Sequence, residues 1–313
     1  MRVSYRAEKA SRLDVYLASL PLDLSRSRAR RLIEEGHVRV RREERELLPK
    51  PSLRLRPGDL VEVEVPPPPL LPSAVPEDIP VPVFYEDEEI LVLSKPRGLV
   101  VHPAPGHPRG TLLNALLGRM GRLPGSEPLR AGIVHRLDKD TTGVMVVAKT
   151  DHSYRELQEQ IRRREARRVY LALVRGHPPA EGVIEAPVGR HPQKRIKMAV
   201  VPGGRPARTR YRVLRYFRSH SLVEATLDTG RTHQIRVHFQ HLGHPVAADP
   251  LYGGKKGELG FPAQALHALR LSLRHPRSGE RLEFVAPLPQ DWREALARLK
   301  KEARGESAPS GSR

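Results

Sequence analysis

The first 65 residues switch between two hydrophobic periods. Leu13, Tyr16, Leu17 and Leu20 recur at helical spacing, and Pro21 stops the run. Ser25 or Ser27 can cap a second helix that turns Ala29, Leu32 and Ile33 inward and ends at Gly36. HVRV and, past the RPGD turn, LVEVEV change to the alternation of strands, which closes a first unit over residues 1–65. Residues 66–82 read PPPPLLPSAVPEDIPVP, whose prolines remove donors and fix the backbone, so a semi-rigid spacer is expected there.

Residues 83–292 consist largely of apolar arms around polar turns: VFYEDEEILVLSKP, YRVLRYFRSHSLVEATL and LRLSLRHPRSGERLEFVAP. GVMVVAKT is an apolar run that can only be core. The clearest helix is DHSYRELQEQIRRRE, with Asp151 as its cap and Tyr154, Leu157 and Ile161 on the inner face. The expected fold is α+β, a predominantly antiparallel mixed sheet in a large domain after a small N-terminal one. Residues 293–313 are expected to form a charged helical tail that fades into ARGESAPSGSR, which has too little apolar content to order itself.

Composition narrows the function. The chain has 313 residues, 38% of them hydrophobic, and no apolar stretch approaches the ~18 residues of a membrane helix. MRVSYRAEKA lacks the apolar middle of a secretory signal, so a cytoplasmic protein without membrane contact is expected. Zero cysteines exclude disulfides and thiolate chemistry. The net charge of +19 favours a polyanionic partner, and an aromatic content of 4% argues against a base-stacking platform. Arg26, Arg28, Arg30 and Arg31 crowd the second helix, where cations near an N-terminus oppose the dipole; an anionic partner explains them better than helix formation does. In RHPQKRIKMAVVPGG, Lys194, Arg195 and Lys197 are candidates for phosphate contacts, although a solvated loop would look the same.

Two charged turns are fused to apolar segments. In VHRLDKDTTGVMVVAKT, Asp138 sits in a turn that a core strand holds rigid. A lone aspartate there is ordinarily a turn-bonding residue. In TLDTGRTHQIRVHFQHLGHP, Arg236 falls at the start of an expected helix, and its burial near Asp138 would keep that carboxylate ionised. His233, His238, His241 and His244 have spacings that suggest a metal, but no carboxylate pattern accompanies them; exposed or RNA-facing histidines and no metal site are expected.

Residues 12–65, with SRSRARRLIEEGHVRV and RPGDLVEV, resemble an S4 domain, a small RNA-binding module. HRLDKDTTGVMVVAKT, RRVYLALVRGH, DTGRTHQIRVH, KPRGLVVHP and ADPLYGG resemble the motifs of the RluA family of RNA pseudouridine synthases, most nearly its RluD branch, which modifies large-subunit ribosomal RNA. The resemblance implies that Asp138 is the nucleophile, that Arg236 forms a salt bridge with it, and that Tyr170 lies against the uracil and helps remove the C5 proton. It implies that Arg136 fills the place of the flipped base, with His135, Leu137, Gly230, Arg231, Thr232, His233, Gln234 and Ile235 around the substrate. No cofactor is implied, and the expected partner is large-subunit ribosomal RNA or its precursor particles, bound by a monomer. Two other readings compete: an RNA-binding assembly factor, and a glycoside hydrolase using Asp138 and Asp140, whose close spacing suits a retaining mechanism. Against the hydrolase, the basic charge suits a polyanion better than a neutral sugar.

Overall fold

The computed structural model describes residues 2–20, 22, 26–65, 74–104, 106–125, 131–194 and 196–303. It divides into two compact units, Met1–Leu71 and Pro72–Arg313.

The first unit contains β1 (Arg2–Arg6), β2 (Ser11–Arg12), α1 (Leu13–Ser19), α2 (Arg26–Glu34), β3 (Val38–Arg42), β4 (Arg45–Leu47), β5 (Arg54–Leu55) and β6 (Leu60–Glu64). Among the described residues a four-stranded sheet runs β1-β6-β3-β4. Its Val38, Val40, Val61 and Val63 pack on Leu13 and Leu17 of α1 and on Ala29, Leu32 and Ile33 of α2. Alternation sends the valines to one face and the charged residues between them to the other. Gly36 has φ +81°, which is why glycine ends the second helix. Ser25 and the side chains of Arg26, Ser27 and Arg28 lie outside the described residues.

The second unit contains β7 (Val83–Glu86), β8 (Ile90–Lys95), α3 (Leu112–Met120), β9 (Thr142–Ala148), α4 (Asp151–Arg162), β10 (Arg167–Arg175), β11 (Glu181–Glu185), β12 (Val188–Arg190), β13 (Met198–Val200), β14 (Arg208–Tyr216), β15 (His220–Leu227), α5 (Gln234–His241), β16 (Leu266–Arg274), β17 (Arg281–Val285) and α6 (Gln290–Ala303). Among the described residues its main sheet runs β11-β14-β15-β10-β16-β9-β8-β7, with β17 on β16. The ladders are antiparallel except β9 with β16, which pair in parallel through Thr142–His267 and Gly143–Ala268. The fold is α+β, as the hairpin pattern implied. Every residue of β9 is buried, so this strand is an unyielding support for the turn before it.

Four details depart from the sequence reading. Thr150, and not Asp151, caps α4: its hydroxyl accepts from Ser153 N–H at 3.0 Å while the Ser153 hydroxyl accepts from Thr150 N–H at 3.1 Å. On that helix only Leu157 of the three inward residues is fully buried; Tyr154 and Ile161 are half-buried and line a cavity. In the proline-rich stretch, residues 66–73 lie outside the described ones, but Ala74, Ile79 and Val81 pack on the core of the second unit. Finally, α6 is no tail. Trp292, Ala295 and Leu299 are at most 1% exposed within the same core, because the apolar face of this helix is as regular as any other. Residues 304–313 lie outside the described residues.

Two stability predictions follow from the β9–β16 junction. Gly143 has φ +116°, and a Cβ there would stand 2.1 Å from the carbonyl oxygen of Ala268. Gly143→Ala is therefore expected to cost at least ~3 kcal/mol, read by denaturant unfolding. His267, fully buried, shares a 2.7 Å hydrogen bond with Thr142 Oγ1, and burial lowers its pKa to about 4, opposed by Ala286 and Asp291. The unfolded histidine takes up a proton near 6.5. Between these values the unfolded chain binds more protons, so stability falls as the pH drops from about 6.5 towards 4, by ~2 kcal/mol at pH 5 from this group. A His267→Gln chain should lose that part of the acid sensitivity in the same unfolding assay.

Candidate active site

The turn before β9 is pinned from beneath. Leu137 is 4% exposed and anchors it in the core, and Thr141 N–H donates to the Asp138 carbonyl at 3.1 Å. Lys95, at the end of β8 and fully buried, donates to the carbonyls of Pro96, Leu99 and Lys139 at 2.8–2.9 Å. Burial lowers its pKa to about 7, against Asp140 and Asp138, yet three carbonyl acceptors match the three donors of the ammonium form. Arg97 reaches the Asp140 carbonyl at 2.7 Å and is itself held by Asp291 of α6 at 2.8 Å. A lysine closing an apolar strand was the only sequence signal for this support.

Asp138 projects from this turn with its side chain 16% exposed. Its Oδ2 accepts from Arg236 Nη1 at 3.0 Å, while the same guanidinium gives Nε and Nη2 to the two oxygens of Asp249, at 2.6 and 3.0 Å. Asp249 is fully buried. The Arg236 pKa is raised: desolvation opposes the charge, but the hydrogen bond to Asp249 and the two carboxylates outweigh it. Arg236 also lies 4.9 Å from the ring centroid of Tyr252. Tyr252 accepts from Met198 N–H at 2.9 Å and gives its own proton to His233 Nδ1 at 2.8 Å, which leaves His233 Nε2 facing Asp138 at 3.9 Å. Burial lowers the His233 pKa, so this ring is neutral at pH 7. Asp249 and Tyr252 lie in the quoted ADPLYGG run, but sequence reasoning gave them no part in the site.

Asp138 and Tyr170 line one cavity of about 720 Å³, within the ~300–1,000 Å³ range of ligand pockets. His135, Arg136, Leu137, Gly230, Arg231, Thr232, His233, Gln234 and Ile235 also line it, so the two charged turns meet across a single space. Arg136 is exposed at its edge. Tyr170, on β10, is 6% exposed, and burial is the main reason its phenol pKa is raised. Gln234 plays a different part from the one expected. Its amide oxygen accepts from Thr229 Oγ1 and Arg231 N–H, and its amide nitrogen donates to Arg208 and Thr209, so it holds the loop in place.

Other expected groups fall elsewhere. His238, thought exposed or RNA-facing, is fully buried between Thr209 Oγ1 and the Ala186 carbonyl, and His244 bonds the Arg175 carbonyl. Helical spacing could not say which face was inside. Lys194 is exposed, Lys197 lies 5.2 Å from the Tyr252 ring centroid, and Arg195 is outside the described residues. In the first unit Arg31 is exposed and Arg30 pairs with Glu34 at 2.8 Å, a solvent-screened surface contact that an anion could displace. Asp140 does not line the cavity, which removes the paired-carboxylate arrangement a glycoside hydrolase requires.

Residues 89–241 match the family model for RNA pseudouridylate synthase, and residues 11–41 match that of the S4 domain. The chain is 50% identical over 296 residues to an uncharacterized RNA pseudouridine synthase of Chloroflexus aurantiacus, covering 95% of this chain and 92% of that one. It is 46% identical over 299 residues to ribosomal large subunit pseudouridine synthase D of Escherichia coli K12, covering 91% and 89%. Among solved structures, human RNA pseudouridylate synthase domain containing 4 superposes with a TM-score of 0.54 at 28% identity, over 70% of this chain and 93% of that one. The chain belongs to the RNA pseudouridine synthase family, and it is an enzyme, an isomerase of uridine in RNA. No helix among the described residues is long and apolar enough to cross a membrane.

The double clamp on Arg236 yields a prediction. Asp249→Asn removes the charge that fixes the guanidinium, so the chain is expected to lose ~3 kcal/mol in denaturant unfolding. Its single-turnover rate on RNA should fall roughly tenfold or more, with the RNA Kd within about threefold.

Proposed function

We propose that this protein isomerises specific uridines of large-subunit ribosomal RNA to pseudouridine, with Asp138 as the group that meets the extruded nucleotide. The observation that carries this reading is the placement of Asp138: shielded, bonded to Arg236 at 3.0 Å, and lining the same cavity as Tyr170. The name of the Escherichia coli relative supports the large-subunit substrate.

The reaction breaks the bond from ribose C1′ to uracil N1 and forms one from C1′ to C5. N1 ends with a proton, C5 loses one, and nothing is oxidised. A carboxylate without water around it is a stronger nucleophile and a stronger stabiliser of positive charge than a solvated one. Arg236 fixes its direction. Burial raises the Tyr170 phenol pKa further above pH 7, so the neutral phenol takes the C5 proton only as it gives up its own, and the proton released is balanced by the one that N1 takes up. A stacked uridine exposes neither C1′ nor C5, so it must leave the helix at a cost of a few kcal/mol. Arg136, exposed at the cavity edge, takes the vacated place, which suits a planar cation able to stack and to bond phosphate. Lys194, Arg195 and Lys197, with Arg26, Arg28, Arg30 and Arg31 of the S4 domain, add affinity through phosphates without reading sequence. The enzyme acts in the cytoplasm as a monomer.

The test is an Asp138→Ala chain supplied as the sole copy in cells. Large-subunit ribosomal RNA from these cells is expected to lack the pseudouridines that the parent chain installs, while the purified variant binds the RNA within about threefold of the parent. Pseudouridine at parental levels would refute the assignment.

A further inference from the structure

Arg168 lies on β10, two residues before Tyr170, and is 9% exposed. Its guanidinium makes no hydrogen bond or ion pair among the described residues, and its buried Nε has no partner. By contrast Arg236 has two carboxylates and Arg97 has one, and Arg270, whose buried Nε also lacks a hydrogen bond, still has Glu283 at 3.8 Å. The Arg168 Nε is thus a buried donor without an acceptor on a cation that lines the cavity, and buried donors in a native fold ordinarily have partners, which here would have to come from a bound molecule.

A second orphan donor stands nearby. His135 Nε2 accepts from Val146 N–H at 3.1 Å, which places the ring proton of the neutral imidazole on Nδ1, and that atom is buried without an acceptor. Both residues line the cavity that contains Asp138 and Tyr170, and the Arg168 charge is felt at the His135 ring. This corner therefore has donors in excess and acceptors missing. Gly230 leaves room for it: a Cβ there would stand 2.8 Å from Arg168 Nη1.

We propose that Arg168 and His135 form a phosphate subsite within the catalytic cavity, which binds a backbone phosphate adjoining the extruded uridine. The proposal rests on the preceding reading of an RNA substrate whose target nucleotide swings out. Uracil carbonyls would satisfy the N–H groups but leave the cation uncompensated. A phosphodiester satisfies both, and a nucleotide that leaves the stack brings its flanking phosphates with it. The subsite thereby draws on the ground-state charge of the RNA and acts in binding, separately from the charge that develops during reaction at Asp138.

The experiment uses the full-length chain and a uridine-containing fragment of large-subunit ribosomal RNA that it converts. Arg168→Gln is expected to raise the RNA Kd by ~10- to 100-fold, with the single-turnover rate at saturating RNA within about threefold. Arg168→Lys should regain most of the affinity. Fragments with one neutral methylphosphonate on either side of the target uridine supply the other arm of a double-mutant cycle. One of the two should weaken binding to the parent chain by a similar factor and weaken binding to Arg168→Gln hardly further. An unchanged Kd for Arg168→Gln, a slower rate with unchanged Kd, or a methylphosphonate penalty as large in the variant as in the parent would each overturn the subsite while leaving the pseudouridine synthase reading intact. Should Arg168→Gln fail to fold, the parent chain decides alone: no loss of affinity at either neutral phosphate refutes the proposal. A parent chain that converts no uridine in any such fragment would instead bring down the substrate reading on which the subsite depends.

Discussion

The site depends on one guanidinium held between two carboxylates. Arg236 gives two of its donors to Asp249, which is fully buried, and a third to Asp138, which is not. The asymmetry matters. Two parallel bonds to a buried partner fix the plane of the guanidinium, so the remaining donor has one direction left to point. Tyr252 covers the face of the cation and also fixes the His233 ring, which brings a second polar hydrogen towards Asp138. Taking three charges out of water is costly, and a hydrophobic trio of the same shape would stabilise the fold at least as well. What the charged arrangement supplies is direction.

That arrangement requires segments far apart in the chain to converge. Asp138 comes from the turn before β9, Arg236 from the first turn of α5, and Asp249 from the loop that follows. Each is supported by other groups: Lys95 and Arg97 beneath the first turn, Gln234 across the second, and the 3.2 Å bond from Leu251 N–H to Asp249 at the third. His233 adopts φ +56°, a left-handed conformation unusual outside glycine, at the point where the loop enters α5. Such a conformation persists because Tyr252 and the helix over-determine it.

Charge is distributed with similar economy. The excess of +19 suggests a uniformly basic surface, yet many arginines on the sheet have acidic neighbours: Arg208 with Glu185, Arg210 with Asp228, Arg212 with Glu224. Net charge sets the field that draws in RNA, whereas the cations without partners are the ones free to hold it. Arg168 is such a cation, and it stands inside the cavity.

The hydrophobic pattern alone determined the α+β class, the hairpins, the buried β9 and the helix pair and strands of the first unit, because period and burial are local properties of a chain. The parts of Asp138 and Arg236 were legible only through the resemblance of their motifs, since an aspartate in a charged turn is by itself an ordinary turn-bonding residue. Asp249, Tyr252, Lys95 and Arg168 were not legible as parts of the site, and His238 was misplaced. Their importance is a matter of which polar atoms end up sharing a space without water. The apolar face of α6 was regular in the sequence, but its docking against Phe261 and the rest of the core depends on distant segments. Sequence thus fixed what each segment is, by its own spacing. Tertiary structure decided which segments face one another, because the energy of a buried charge depends on partners that the chain supplies from a hundred residues away.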